Sequence, residues 1–184
     1  MNQISKPIHI INVPLDLGAS RRGTDAGPSA FRVAGLGRQI REMGYTISDE
    51  TDVPVPAMET RKTSDTKTRF KAEILEVCEE LAGHTIAALE AGEWPLVIGG
   101  DHSIAMGTVS GVSSYLAKSD QKLGLIWFDA HGDMNLPDST PSGNIHGMPL
   151  SHLLGYGDKD LSSIHGAHPA VHPENVVLIG IRDI

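Results

Sequence analysis

Short apolar runs that end in glycine, aspartate or histidine, with helical patterns between them, leave this chain few architectures. Two runs stand out: Leu96-Val97-Ile98-Gly99-Gly100-Asp101-His102, and Leu123-Gly124-Leu125-Ile126-Trp127-Phe128-Asp129-Ala130-His131-Gly132-Asp133. Their length and composition read as buried strands of a parallel sheet. Residues 8–13 read as a first strand, 45–48 as a weaker second and 176–181 as another buried one. Pro28 suits the first turn of a helix, and Ala30, Val33, Ala34, Ile40 and Met43 continue one helical stripe to a stop at Gly44. Phe70, Ile74, Val77, Leu81 and Ala88 recur at helical spacing, so a long helix is predicted up to Gly92. Further helices are predicted over about 103–118 and 148–154, and Val53-Pro54-Val55-Pro56 marks a connection. Residues 155–173, with His165, His168 and His172, read as a flexible polar loop, a surface metal site being its alternative. Alternating strands and helices predict an α/β fold with a mainly parallel sheet. A length of 184 residues fits one domain over 1–184.

Composition narrows the function. A formal net charge of −8 disfavours nucleic acid or an anionic membrane as partner and favours a small cationic substrate. Cys78 is the one cysteine, so no intrachain disulfide forms, and its place on the helical stripe reads as a core thiol. No run reaches membrane-spanning length, and Met1 to Pro7 lack a basic-then-apolar leader pattern, so a cytoplasmic location is expected.

The two leading blocks carry the chemistry. Ligands in α/β folds collect at the carboxyl ends of parallel strands. Residues i, i+2 and i+4 of a strand share a face, so Asp129, His131 and Asp133 are expected to converge, with His102 arriving from another strand end. A mixed set of imidazoles and carboxylates suits a hard or borderline divalent ion such as Mn²⁺. The two oxygens of Asp129 can serve two ions, and paired ions can bring the pKa of a shared water toward 7, a route to hydrolysis. The competing reading is turn and capping chemistry after each strand. Asp101 is left unassigned as a ligand: it can orient His102 or cap the helix beginning near Ser103.

Gly99-Gly100-Asp101-His102-Ser103 and Asp129-Ala130-His131-Gly132-Asp133 resemble two signature motifs of the ureohydrolases, the dimanganese family of arginase, agmatinase and formimidoylglutamase. Pro14-Leu15-Asp16-Leu17-Gly18, Arg21-Arg22-Gly23-Thr24-Asp25-Ala26-Gly27-Pro28-Ser29-Ala30 and Ser142-Gly143-Asn144-Ile145-His146-Gly147-Met148-Pro149 resemble its arginase branch. The resemblance implies a three-layer α/β/α fold and two manganese ions per complete subunit. It implies that His102 and Asp133 hold one ion, that His131 holds the other and that Asp129 bridges them. Asn135 and Ser142 would hold the amino-acid end of the substrate, and His146 would move a proton at the leaving amine. From the residues alone, His146 can equally be a loop histidine with a backbone partner, and Asn135 and Ser142 turn residues. Arg21 and Arg22 read as solvated or structural.

The family's third metal motif, Ser-x-Asp-x-Asp, has no counterpart here, and Arg182-Asp183-Ile184 resembles the start of an Arg-Asp-Val-Asp segment. The expectation is therefore an arginase-like chain cut at its C-terminus. It lacks later strands that the family places between early ones, which exposes apolar surface and unpaired edges. The reaction implied is hydrolysis of L-arginine to L-ornithine and urea, by a trimer or hexamer when full length, with the 184 residues alone weak or inactive. Agmatinase or another guanidine ureohydrolase, and a non-catalytic truncated subunit or pseudoenzyme, are the alternatives.

Overall fold

A computed structural model describes residues 6–63 and 65–182 of the chain. The expectations about a leader in the first five residues and about the ending Asp183-Ile184 lie outside the described residues.

The organising strand is β1 (Ile8–Val13). Ile10, Ile11 and Val13 are all buried, so this strand is covered on both faces. It pairs in parallel with β2 (Ile47–Asp52) on one side and β3 (Trp94–Gly99) on the other. One face carries Ile11 and Val13 into a core with Ile74, Val77 and Leu81 of helix α3 (Lys71–Glu90) and Met106 of helix α4 (Ile104–Ala117). The other face sets Ile10 and Ile98 against Ile40. Helix–sheet–helix layering follows directly from that two-sided burial.

Ile40 belongs to α2 (Leu36–Glu42), which follows α1 (Gly27–Val33). The single helix expected here is two, because Gly35 takes φ 75 and breaks the stripe. The second strand lies further along than 45–48. Its stretch Ser48-Asp49-Glu50-Thr51-Asp52 is polar and mostly exposed, so apolar periodicity does not reveal it. The ladder to β1 and the ion pairs from Arg32 to Glu50 and Asp52 hold it.

Strands β4 (Leu125–Phe128) and β5 (Val176–Ile179) form a separate parallel pair. Trp127 packs with Leu150 and Leu153 of helix α5 (Pro149–Leu153) and with Val109 of α4. Segment 155–173 is a packed connection and not the flexible loop expected. Leu161 and Ile164 are buried in the main core, and Ala170 and Val171 in the second. His165 lies against Glu79, and His168 Nδ1 is 2.9 Å from the Ser162 carbonyl, so these histidines are tied down apart from one another.

The runs expected to be buried strands are only partly so. Ile126, Phe128, Val177 and Ile179 are exposed, Phe128 at 72%. Strand alternation explains this: Ile126 and Phe128 of β4 and their partners Val177 and Ile179 of β5 share one face of the pair, which is left uncovered among the described residues, while Trp127 on the other face is buried. Among the described residues β3 pairs with β1 alone and β4 with β5 alone, so the two sheets also present free edges.

Candidate metal centre

The site forms where β3 and β4 end. His102 follows the Gly99-Gly100 turn after β3, one residue before Ser103, whose successor opens α4. Its ring stacks on Trp127, with centroids 4.5 Å apart. Trp127 lies on β4 and Asp129 just past its end, and both contact the His102 ring. The sequence places Trp127 only within an apolar run read as a buried strand. Its stacking role depends on β3 and β4 being brought together by α4, which no local pattern states.

His102 Nδ1 lies 2.8 Å from Asp129 Oδ2 and 2.6 Å from Asp133 Oδ2. One ring nitrogen has one hydrogen at most, so it cannot satisfy both carboxylates. Asp133 Oδ2 is buried and makes no hydrogen bond of acceptable geometry; its approach to the ring is an ionic contact. The neighbouring Asp133 carboxylate, against the opposing effect of burial, holds His102 above the ordinary histidine range, with Asp129 adding to it. Burial works to raise the pKa of Asp129, yet the His131 amide and the His102 ring outweigh it and hold that carboxyl below its usual range. The ligand atoms of His102, Asp129 and Asp133 all fall within 4.8 Å of one another. Two acids crowded on one imidazole, one oxygen orphaned and mixed N/O donors are what a divalent cation resolves.

His131 stands apart from that triad. Alternation does not carry past Phe128, where β4 ends, and Asp133 takes φ 48, turning its carboxylate back toward His102. His131 is exposed, with Nδ1 3.4 Å from Asp129 Oδ1. Its amide donates to that same oxygen at 2.9 Å. Asp129 thus directs one oxygen to His102 and the other to His131.

The triad opens onto a cavity of about 500 Å³ that His131, Asn135, Ser142, Asn144 and His146 also line. His146 lies between two fully buried anchors, Ile145 and Met148, so its backbone is fixed while its ring reaches the cavity. Asn135 accepts from Ser139 Oγ through Oδ1, at 3.3 Å, which leaves Nδ2 as the end available to donate. Its main chain is clamped as well: its amide donates to the Gly147 carbonyl, and its carbonyl accepts from Ser151 Oγ. Ser142 is exposed, and its Oγ accepts the Asn144 amide at 3.2 Å.

Asn144 was not singled out by sequence reasoning. It lines the cavity, donates to the Ala19 carbonyl at 3.0 Å and buries an unpartnered Oδ1. Its place inside the Ser-Gly-Asn-x-His-Gly block was the available signal. Asp101 resolves as a turn holder: Oδ1 accepts the Ser103 amide at 3.0 Å and Oδ2 the Ala19 amide at 2.9 Å. Arg22 is structural. It pairs with Asp16, whose pKa is raised by burial against the pull of Arg22. Cys78 is a core thiol, pushed up to about 12 by burial.

The model of the Arginase family matches residues 6–184. The chain belongs to the arginase family. Arginase of Bacillus caldovelox is 47% identical over 180 residues, which are 97% of this chain and 59% of that protein. Arginase of Brevibacillus brevis is 47% identical over 181 residues, covering 98% of this chain and 59% of its own length. The solved native structure of the Bacillus caldovelox arginase superposes with a TM-score of 0.89 at 46% identity, across 97% of this chain and 59% of that one. An arginase of Entamoeba histolytica, solved in complex with L-ornithine, gives a TM-score of 0.84 at 32% identity, across 97% and 58%. This member of the family spans about three fifths of the length of the curated relatives it matches.

Proposed function

We propose that this chain supplies one metal site and the substrate-facing wall of a manganese-dependent hydrolase that converts L-arginine to L-ornithine and urea. The observation that carries the reading is the double orientation of Asp129. One of its oxygens meets His102, which Asp133 also contacts, and the other meets His131. His102, Asp129 and Asp133 would hold the first manganese, and His131 with the second Asp129 oxygen would begin the other site. When bound, the ions would supply positive charge and a water of lowered pKa.

The remaining residues act on the substrate. Asn135 Nδ2 and Ser142 Oγ would donate hydrogen bonds to the carboxylate at the amino-acid end. That would place the guanidinium at the end of the cavity where His102, Asp129 and Asp133 would hold the ion. When the bond between the guanidino carbon and the side-chain nitrogen breaks, its electron pair stays on the departing nitrogen. His146 would deliver the proton that makes it an amine. A cytoplasmic homo-oligomer, trimeric or hexameric, with 1–184 as one domain, completes the proposal. The likeness to proteins named arginase, one of them solved with L-ornithine, supports arginine as substrate.

Agmatine lacks the carboxylate that Asn135 and Ser142 would hold, so it separates this reading from its nearest alternative. With diamagnetic Mg²⁺ in place of manganese, L-ornithine and L-arginine are expected to shift the Asn135 side-chain amide resonance, and agmatine is not. Equal shifts with agmatine, or none with either amino acid, contradict the assignment. Urea release by the 184 residues alone is expected to fall far below enzymatic rates, since His131 and one Asp129 oxygen make an under-filled second site. Rapid turnover of L-arginine by this chain would refute that.

A further inference from the structure

We propose that the peptide joining Gly18 and Ala19 is a positioning bracket that fixes the spacing of His102 and His146, with Asp101 as the residue that grips it. The catalytic meaning rests on the function proposed above; the mechanical claim does not.

A trans peptide is a rigid plane whose N–H and C=O point in opposite directions. Here both ends are taken by the site. The Ala19 N–H donates to Asp101 Oδ2 at 2.9 Å, and the Gly18 carbonyl accepts the His146 amide at 3.2 Å. Asp101 immediately precedes His102, so one planar unit separates the metal-ligand loop from the loop of the proton carrier. The next carbonyl strengthens the tie, because Ala19 O accepts from Asn144 Nδ2 at 3.0 Å.

The bracket is stiff at its root. Leu15, Asp16 and Leu17 are buried, and the Asp101 amide donates to the Leu15 carbonyl at 2.7 Å. Asp101 is itself buried, and its other oxygen holds the Ser103 amide. A carboxylate on the N–H also polarises the peptide and improves its carbonyl as an acceptor. Gly18 has no alternative: a Cβ there would lie 1.9 Å from Ser103 Oγ and 2.5 Å from Asp101 Oδ1. His102 and His146 sit on loops 44 residues apart in sequence, and this peptide joins the two through hydrogen bonds alone.

Amide hydrogen exchange tests the bracket without any metal. In Asp101→Asn, which keeps the shape and removes the charge, the amides of Ala19 and His146 should both exchange faster, by on the order of tenfold. The amides of α3 should keep their protection. Gly18→Ala should produce the same paired loss with the Asp101 charge intact. In the unaltered chain, Ala19 and His146 should share one protection level, which keeps the idea testable if either variant fails to fold. In the manganese-loaded chain, relaxation of the His146 ring by the ion reports their separation and should change in Asp101→Asn. The bracket is overturned if His146 keeps its protection while Ala19 loses it, or if both change only in step with α3. Loss of coupling with manganese still bound removes the bracket alone. Intact coupling with no manganese bound removes the functional reading alone.

Discussion

His152 is fully buried, and both of its ring nitrogens are engaged. Nδ1 lies 2.8 Å from the Met148 carbonyl, and Nε2 accepts the Asp158 amide at 3.2 Å. That arrangement needs the neutral ring, and burial lowers its pKa against the pull of the Met148 carbonyl. A histidine whose folded pKa is depressed contributes stability that is present above the unfolded value of about 6.5 and is lost as pH falls through the folded value. Urea denaturation at pH 7.5 and pH 5.5 should therefore show an acid penalty that His152→Gln reduces. An equal penalty in the variant would assign the effect to other groups. At pH 7.5 His152→Ala should cost about 1–3 kcal/mol, because it removes the acceptor of the Asp158 amide and leaves a void where a fully buried ring stood. The same logic governs the metal triad: each acid is held close by neighbours that leave part of its bonding capacity unmet.

Among the elements, α3 was the most legible, since Ile74, Val77 and Leu81 face one core and all three are buried. Leu81→Ala should cost about 2–5 kcal/mol in thermal or chemical unfolding. Gly35→Ala should cost about 1–2 kcal/mol, because φ 75 disfavours a side chain, and it should leave manganese affinity unchanged. Where an element buries one stripe, periodicity carried its outline. Where burial is absent, as in β2, the sequence indicated only a weaker strand at 45–48, and its extent to Asp52 came from pairing with β1. The break at Gly35 was hidden because the apolar spacing continues across it. In the site, the convergence of His102, Asp129 and Asp133 beyond two strand ends was legible. The outward set of His131 was not, since the turn at Asp133 ends the alternation on which the expectation relied. The Gly18–Ala19 peptide was out of reach for the same reason: it acts through backbone groups, which every residue type shares.

At the scale of the whole molecule, the two sheets stand with free edges on β3 and β4 and apolar side chains uncovered beside them. Exposed apolar edges template further pairing. The 184-residue chain should self-associate as concentration rises in sedimentation experiments, and Ile126→Lys should suppress this without altering α3 protection. A concentration-independent monomer would show that the edges are otherwise protected. Among the described residues no helix is long and apolar enough to cross a membrane. The fold thus brings two strand ends, a stacking tryptophan and a histidine-bearing loop to one cavity.

We propose that His102, Asp129 and Asp133 form a manganese site. Titration of the chain with Mn²⁺, followed by the loss of the free-ion electron paramagnetic resonance signal, tests it most directly. Saturable binding is predicted, weakened by more than about tenfold in Asp129→Ala and in His102→Ala, since even outer-shell partners carry that much. His146→Ala should bind as the unaltered chain does. Absence of binding, or full binding by Asp129→Ala, would contradict the account.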